Sequence, residues 1–277
     1  MRSILLVLCA LALPHSLSAQ KSEVELSARL LGKQLYLRGR WGSDKLSFDD
    51  SGRVSGSPLV VSFTLAGVKI NKLKLQSNAL VLEGQRFGVA FQKDVPMLVA
   101  LVLPDAPGSS HPEKLTVKIQ RPGDGDFSAA LDTIFTQNLA ELPSQQPEWE
   151  SFAGKHFPEK KASPTSAETP VSTGPTPLTA DKSARTGPPV SWPKVVKSAE
   201  PEFNDQARAL KYSGIVLLNL IVDAEGKPSH IHILHPIGLG LDERAVDAVS
   251  RYTFKPAMRE GQPVPVELNI EVNYQIF

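Results

Sequence analysis

The sequence specifies a fold most clearly at residues 214–235, which read GIVLLNLIVDAEGKPSHIHILH. Residues 214–222 are apolar except for Asn219, a composition typical of a strand that is buried on both faces. Residues 223–226, DAEG, then form a tight turn whose glycine can adopt the left-handed conformation. Residues 228–235 return as a second strand, so the stretch predicts an antiparallel hairpin.

The residues after the hairpin predict a helix and then a last strand. Gly238 and Gly240 interrupt the chain before Asp242, which can cap a helix N-terminus. Pro256 ends the helical region, and residues 261–263 turn the chain into the last strand. The apolar stripe of the helix consists of Leu241, Ala245, Ala248, Val249 and Tyr252. The apolar residues that alternate on one face of the last strand are Val264, Val266, Leu268, Ile270 and Val272.

A short helix precedes the hairpin, with Ala207 and Leu210 turned inward. The predicted order is therefore helix, strand, strand, helix, strand. It describes a small α+β domain at residues 190–277, in which an antiparallel three-stranded sheet is backed by helices.

Composition excludes several classes of protein. The 30 Lys and Arg residues balance 29 Asp and Glu, and no long basic block is present, which argues against a nucleic-acid-binding protein. The single Cys excludes an internal disulfide framework and a Cys-rich zinc site. The unusual feature is proline, because 11 of the 23 prolines lie between Pro143 and Pro201.

These prolines predict a Pro/Ser/Thr-rich disordered linker at residues 153–189. Residues 158–191 contain no Phe, Trp, Tyr, Ile or Met, so they cannot bury enough apolar area to offset the lost chain entropy. Such a segment favours extended conformations. Two roles fit it: a passive spacer, or a tether that carries one domain to a distant partner.

The N-terminus predicts export. A positively charged start is followed by ten apolar residues at 4–13, and small residues then precede Gln20. This length fits a secretory signal and is short for a membrane span, so residues 1–19 are predicted to be a signal peptide of a periplasmic protein. The alternative is an uncleaved inner-membrane anchor. Lipidation at Cys9 is disfavoured because a large residue precedes it.

Residues 20–152 predict a β-rich domain of unidentified role. Short runs of alternating apolar residues, separated by Gly, Asp and Asn, indicate half-buried antiparallel strands. These runs lie at residues 24–30, 35–37, 73–75, 80–82 and 115–119. Mainly apolar runs at residues 60–65 and 97–103 predict central strands. Apolar residues at helical spacing predict an amphipathic helix at residues 127–142.

The C-terminal motifs, taken together and in order, resemble the TonB C-terminal domain. The resemblance covers about residues 190–277, roughly a third of the chain. It rests on Gly214, Val222-Asp223-x-x-Gly226, Gly240-Leu241-Asp242-x-x-Ala245-x-x-Ala248-Val249, Tyr252-x-Phe254-x-Pro256-Ala257 and Gly261-x-Pro263-Val264.

The resemblance implies energy transduction in a Gram-negative envelope. In that family the domain captures the TonB box of a TonB-dependent outer-membrane receptor as an extra strand, while an ExbB–ExbD complex drives the other end. An exposed edge can also pair with a second copy, which makes a homodimer a further expectation. The family's Tyr-Pro pair near the receptor contact matches Phe203-Asn204. The implied partner-binding residues are Phe203, Asn204, Val266, Leu268, Ile270, Val272 and Tyr274.

No catalytic residue, metal site or cofactor is predicted. His230 and His232 share one strand face, but His235 points to the other and no carboxylate is placed to assist them. Asp242 and Glu243 are interpreted as residues that cap a helix and interact with its dipole. Asp49 and Asp50 are interpreted as part of a turn, and no common hydrolase, nucleotide or zinc-protease motif is present, so the chain is not expected to be an enzyme.

Two functional hypotheses remain. The first is an energy transducer or receptor-interaction protein of the TonB type. The second is a soluble periplasmic adaptor without proton-gradient coupling, in which the β-rich domain recognises a ligand or an envelope component. The N-terminus separates them, because a transducer needs a helix that stays in the inner membrane.

Overall fold

The computed structural model describes residues 15–104, 110–142, 178–179 and 190–276. Residues 1–14 of the predicted signal peptide lie outside the described residues, as does the predicted linker except for residues 178–179. The described helices include none that is long and apolar enough to cross a membrane.

The first part of the chain folds into a mainly β domain at residues 15–142, which we call the β domain. It contains two helices, nine strands and 3₁₀ turns at Phe63–Leu65 and Leu139–Glu141. Its elements are α1 (His15–Leu30), β1 (Gln34–Leu37), β2 (Lys45–Phe48), β3 (Gly67–Leu75), β4 (Ala79–Gln92), β5 (Val95–Ala100), β6 (Val102–Pro104), β7 (Ser110–Pro112), β8 (Lys114–Gln120), α2 (Ser128–Ile134) and β9 (Phe135–Thr136).

The second part, residues 190–276, forms the C-terminal domain. Its elements, together with the isolated strand β10 (Leu178–Thr179), are β11 (Val190–Ser191), β12 (Lys194–Lys197), α3 (Asp205–Ala209), β13 (Gly214–Val222), β14 (Pro228–His235), α4 (Leu241–Ser250), β15 (Thr253–Lys255), β16 (Ala257–Arg259), β17 (Gln262–Val264) and β18 (Val266–Tyr274). The main sheet has the order β10-β18-β13-β14. The predicted α+β fold with an antiparallel β13–β14–β18 sheet is confirmed, and β10 adds a fourth, parallel strand.

The β domain is built on a seven-stranded sheet with the order β2-β8-β4-β3-β1-β9, in which β5 also pairs with β4. The alternating apolar residues of the strands pack with the two helices, as period-two spacing requires. The buried cluster includes Leu26, Leu30, Leu35, Leu37, Leu46, Phe48, Val68, Ile70, Leu80, Leu82, Leu115, Val117, Ile119, Phe127, Leu131 and Ile134.

Residues 24–30 form the end of α1, so the strand predicted there is wrong. Leu26 and Leu30 are buried, but Val24, which a strand would place on the same face, is 66% exposed. Two residues four positions apart share a face in a helix and in a strand, which is why the pattern was ambiguous. The helix also runs across the predicted cleavage position before Gln20.

The apolar run at residues 60–65 does not form the predicted central strand. Its last three residues, Phe63–Leu65, form a buried 3₁₀ turn. The Ser62 hydroxyl accepts a hydrogen bond from the backbone N–H of Thr64 and so caps this turn. The run is apolar because the turn is buried between the two domains.

The second apolar run, at residues 97–103, supplies an edge strand instead of a central one. Its first part belongs to β5, which pairs only with β4 among the described strands. Met97 and Leu98 are 42% and 38% exposed. An apolar run alone does not show whether a strand has neighbours on both sides.

The helix predicted at residues 127–142 is shorter than expected. It ends at Ile134, and the next two residues form β9, which pairs with β1. Leu131 lies in the core of the β domain, whereas Leu139 and Leu142 lie in a second core. The apolar residues therefore serve two cores rather than one helix face.

This second core joins the two domains. From the β domain it contains Tyr36, Phe63, Leu65, Ala66, Val89, Ala90, Phe91, Leu101, Leu139 and Leu142. From the C-terminal domain it contains Ala207, Val216, Leu218, Leu220, Val222, Ile233, Ile237, Leu239, Leu241, Ala245, Val249, Phe254, Val272 and Tyr274. The two domains therefore bury apolar surface against each other.

Candidate partner-binding site

The outer edge of β18 is the part of the C-terminal sheet that can accept another strand. On one side β18 pairs with β13 along its whole length, from Gly214 opposite Tyr274 to Val222 opposite Val266. On the other side, the described part of the chain provides only β10, which pairs with Val266 and Glu267. The remaining seven residues of β18 have no described strand on that side.

The side chains of the predicted partner-binding residues in β18 face the protein interior. Val266, Val272 and Tyr274 are almost fully buried, and Leu268 and Ile270 pack against the same core. A partner strand could pair with these positions through their backbone groups, and of their side chains only Leu268 and Ile270 are partly exposed. The residues predicted from the sequence are the apolar ones of the strand, and these are the side chains that the fold packs into its core.

The residues between them form the accessible half of the strand. Asn269, Glu271 and Asn273 are exposed, and Glu267 is partly exposed. Next to them in β13, the Asn219 amide donates hydrogen bonds of 2.9 Å to Glu267 Oε1 and Asn269 Oδ1. This contact accounts for the single polar residue in β13. The strict alternation in the sequence could have identified these outward residues.

Phe203 and Asn204 lie beside the end of β18 and connect it to the rest of the domain. The Phe203 ring packs edge-to-face on Tyr274, with 5.1 Å between the ring centroids. The Asn204 side chain caps α3 by accepting from the Ala207 N–H at 2.8 Å, and it donates to the Leu239 carbonyl. The proline of the family pattern is thus replaced here by a helix cap.

Tyr274 fixes the end of β18 to α4. Its hydroxyl donates a 2.9 Å hydrogen bond to the carbonyl of Leu241, and its side chain is buried. Burial, together with the negative charge of Asp242, raises the pKa of the Tyr274 hydroxyl, so it remains a donor.

Asp242 has a different role from the predicted helix cap. Its carboxylate is fully buried and accepts hydrogen bonds from the N–H groups of Ile237 at 2.8 Å and Gly238 at 2.6 Å. These donors precede the helix, so Asp242 holds the loop that leads into α4, while Gly240 occupies the N-cap position. Burial and the adjacent charge of Glu243 raise the pKa of Asp242 well above its ordinary value.

The other motif residues maintain the fold. The Asp223 carboxylate accepts from the N–H groups of Glu225 and Lys227, at 3.0 and 2.7 Å, and closes the predicted turn. Gly226 has a φ of 80°, and a Cβ there would lie 2.0 Å from the Phe254 carbonyl oxygen. Of the remaining motif positions, Leu241 and Ala245 are fully buried, Gly214 begins β13, Pro256 separates β15 from β16, and Gly261 lies in the turn before β17.

The loop between β14 and α4 is bonded directly to the β domain. Gly238 forms an antiparallel bridge with Ala90. The Phe91 N–H donates to the Ile237 carbonyl at 2.9 Å, and the Leu239 N–H donates to the Val89 carbonyl at 2.8 Å. Two backbone hydrogen bonds thus flank the bridge. No local sequence pattern indicates this junction, because its residues are far apart in the chain.

A cleft of about 660 Å³ opens between the domains beside this junction. Its floor contains a buried ion pair in which Arg86 Nε lies 3.0 Å from Glu113 Oε1. Gln206 of α3 donates to Glu113 and accepts from the Val102 N–H at 3.1 Å. Burial lowers the pKa of Arg86 and raises that of Glu113, and their mutual attraction opposes both shifts.

The histidines of β14 have one partner that the sequence did not reveal. His235 Nδ1 lies 3.0 Å from both carboxylate oxygens of Asp94, which is 141 positions away in the chain. This carboxylate lies beside His235 and not beside the His230–His232 pair, which was the pair considered for metal binding. His230 contacts Ser229, and no group of three or more potential metal ligands occurs among the described residues.

Comparisons with known proteins address the C-terminal domain. Residues 199–276 match the family model described as the Gram-negative bacterial TonB protein C-terminal. A similar solved structure is the solution NMR structure of the Pseudomonas aeruginosa TonB C-terminal domain, with 17% identity and a TM-score of 0.27. That match covers 35% of this chain and 92% of that one. No curated protein matches.

The matched family is a transport-related domain rather than a catalytic one, and its members are associated with the cell envelope. The match begins just before α3 and ends at the last described residue. The β domain lies outside it. Residues 199–276 therefore form a domain of the TonB C-terminal family.

Proposed function

We propose that the C-terminal domain binds the TonB box of a TonB-dependent outer-membrane receptor by strand addition at the outer edge of β18. The observation that supports this most directly is the edge itself. Residues 268–274 of β18 have no described strand on the side away from β13, although their backbone is extended and β13 holds them in register. A peptide could satisfy these backbone groups and so extend the sheet.

The position of the β domain is compatible with this proposal. Its backbone bonds to the C-terminal domain are made by the loop after β14, the strand at the opposite side of the sheet from β10 and β18. Receptor binding at β18 would not require these bonds to break. The exposed residues Asn269, Glu271 and Asn273 would then contact the outward side chains of the added peptide.

A pair of proline substitutions tests the proposal. Neighbouring residues of a strand direct their N–H groups to opposite edges, so of Leu268→Pro and Asn269→Pro one removes a bond to β13 and the other removes an N–H at the open edge. The variant that loses the open-edge N–H, which we call the edge variant, should keep its fold when measured by circular dichroism. It should bind fluorescein-labelled TonB-box peptides at least about tenfold more weakly, since a backbone hydrogen bond is lost and the proline ring obstructs the edge.

The variant that loses the hydrogen bond to β13 is the matched control. It should lower the free energy of unfolding, while its open edge keeps every N–H group. Fluorescence anisotropy measures the affinity and urea denaturation the stability. Unchanged peptide affinity in the folded edge variant would contradict strand addition at this site.

The wider role that we propose is energy transduction for transport across the outer membrane. The further partners that we propose are an ExbB–ExbD-type complex and a second copy of this chain, with which it would form a homodimer. The competing role is a soluble periplasmic adaptor, which the interdomain cleft favours, because it offers the β domain a recessed surface for a ligand.

Membrane fractionation with N-terminal sequencing distinguishes the two roles. A mature start at Gln20 in the soluble fraction supports the adaptor, and an intact Met1 in the inner membrane supports the transducer.

A further inference from the structure

The strand β10 comes from the Pro-rich part of the chain and occupies one end of the β18 edge. Leu178 pairs with Val266 and Thr179 pairs with Glu267, in parallel. These contacts lie on the side of β18 away from β13, as the strand order β10-β18-β13 requires. The chain thus places a strand of its own on the edge to which we assign the receptor peptide.

We propose that residues 178–179 are an internal competitor that covers the start of the receptor-binding edge until a receptor peptide displaces them. This inference rests on the proposed function. One strand edge holds one partner, because each outward N–H and C=O of β18 accepts a single neighbouring strand. A peptide that pairs along all of β18 must therefore remove β10 from Val266 and Glu267.

The local sequence explains why such a competitor would be weak. Pro177 directly precedes the pair and has no N–H to donate, so the pairing cannot extend as a regular strand in that direction. Only two residues are in register, and seven residues of the edge stay open. An incoming peptide can bind the open part first and then replace the short strand.

The connection to the domain explains why so short a strand can compete. Thr179 is joined to Val190, the first residue of β11, by ten intervening residues. A short connection holds the segment at an effective concentration of the order of millimolar, so no high intrinsic affinity is needed. One backbone hydrogen bond corresponds to a factor of roughly three to ten in an equilibrium constant, which is the expected inhibition.

The test uses the full chain and the double variant Leu178→Pro/Thr179→Pro, which removes the N–H that faces β18 whichever of the two neighbouring residues carries it. Thr173→Pro/Gly174→Pro is the matched control, since it adds two prolines to the same Pro-rich stretch five residues earlier. Two quantities are measured: the affinity for fluorescein-labelled TonB-box peptides, and the hydrogen exchange of the Val266 and Glu267 amides without peptide. Leu178→Pro/Thr179→Pro should raise the affinity about three- to tenfold and speed exchange at whichever of the two amides, Val266 or Glu267, faces β10.

The two measurements distinguish failure of the inference from failure of the proposed function. One outcome is faster amide exchange in the variant altered at residues 178–179, with no peptide binding by it, by the control variant or by the unaltered chain. That outcome would support the internal pairing of β10 with β18 and contradict receptor binding. Unchanged exchange in Leu178→Pro/Thr179→Pro, whatever the peptide affinity, would overturn the internal competitor. Equal effects of this variant and of Thr173→Pro/Gly174→Pro would overturn it as well.

Discussion

Replacing Gly238 by alanine should weaken the junction between the two domains more than a glycine-to-alanine change elsewhere. Gly238 has a φ of 83° and forms the bridge to Ala90. A Cβ at this position would lie 2.2 Å from the Val89 carbonyl oxygen and 2.9 Å from the Ala90 Cα. Both obstacles are backbone atoms, so no side-chain rotation relieves the contact.

The expected decrease in the free energy of unfolding has two parts. Placing an L-residue in the left-handed region costs roughly 1–2 kcal/mol. Separating the two backbones would also break the Phe91–Ile237 and Leu239–Val89 hydrogen bonds, each worth about 0.5–1.5 kcal/mol. The free energy of unfolding should therefore fall by roughly 2–5 kcal/mol.

Gly261→Ala is the matched control for the cost of placing an L-residue in the left-handed region. Gly261 has a similar φ of 78°, but no atom lies within 4 Å of the Cβ position. Urea denaturation of both variants isolates the contribution of the junction as their difference, expected to be about 1–3 kcal/mol. Equal destabilisation of the two variants would refute the argument, because the clash and the lost hydrogen bonds exist only at Gly238.

Three further predictions concern buried polar groups. Tyr274→Phe should reduce the unfolding free energy by about 1 kcal/mol because the Leu241 carbonyl loses its donor, and urea denaturation would show no change if that bond were unimportant. Glu113→Gln should destabilise the chain by about 3 kcal/mol, since it removes the counter-ion that contacts the buried Arg86 charge and leaves only the weaker attraction of Asp44; a change below about 0.5 kcal/mol would contradict a buried ion pair. Asp242→Asn should alter the pH dependence of stability. The raised pKa means that the folded state binds the proton more tightly, so this group's contribution favours folding at acidic pH and declines as the pH rises from about 4 through the raised value. The asparagine variant should lack that part of the decline, and parallel stability profiles from pH 4 to 8 would argue against it.

The C-terminal hairpin could be predicted from the sequence because its determinants are local. The apolar run, the DAEG turn and the alternation in the last strand each span a few residues, and all three occur where the sequence predicts them, except that Val264 belongs to β17 and β18 begins at Val266. The same local reasoning failed for Asp242. Its offset from the helix start suggested a cap, but the N–H groups that it accepts from belong to Ile237 and Gly238, before the helix.

The junction between the domains could not be predicted, for a physical reason. Ala90 and Gly238 pair through backbone groups that every residue carries, so nothing in the side-chain pattern marks them as partners. The apolar composition of residues 60–65 and 97–103 predicts burial, but only residues 63–65 and Leu101 are buried, and Val60, Met97 and Leu98 are exposed. An apolar run indicates burial but not the element that covers it, so the sequence predicts central strands for both runs.

The junction also limits what the Pro-rich segment can do. Leu142, just before it, is buried in the shared core, and Val190, just after it, pairs with Arg259 of the C-terminal domain. Both ends of the segment are therefore attached to one joined body. A tether that carried either domain to a distant partner would first have to break the bridge at Gly238 and expose the shared core. While the junction is intact, the length of the segment does not set the distance between the domains, but it does allow residues 178–179 to reach the edge of β18.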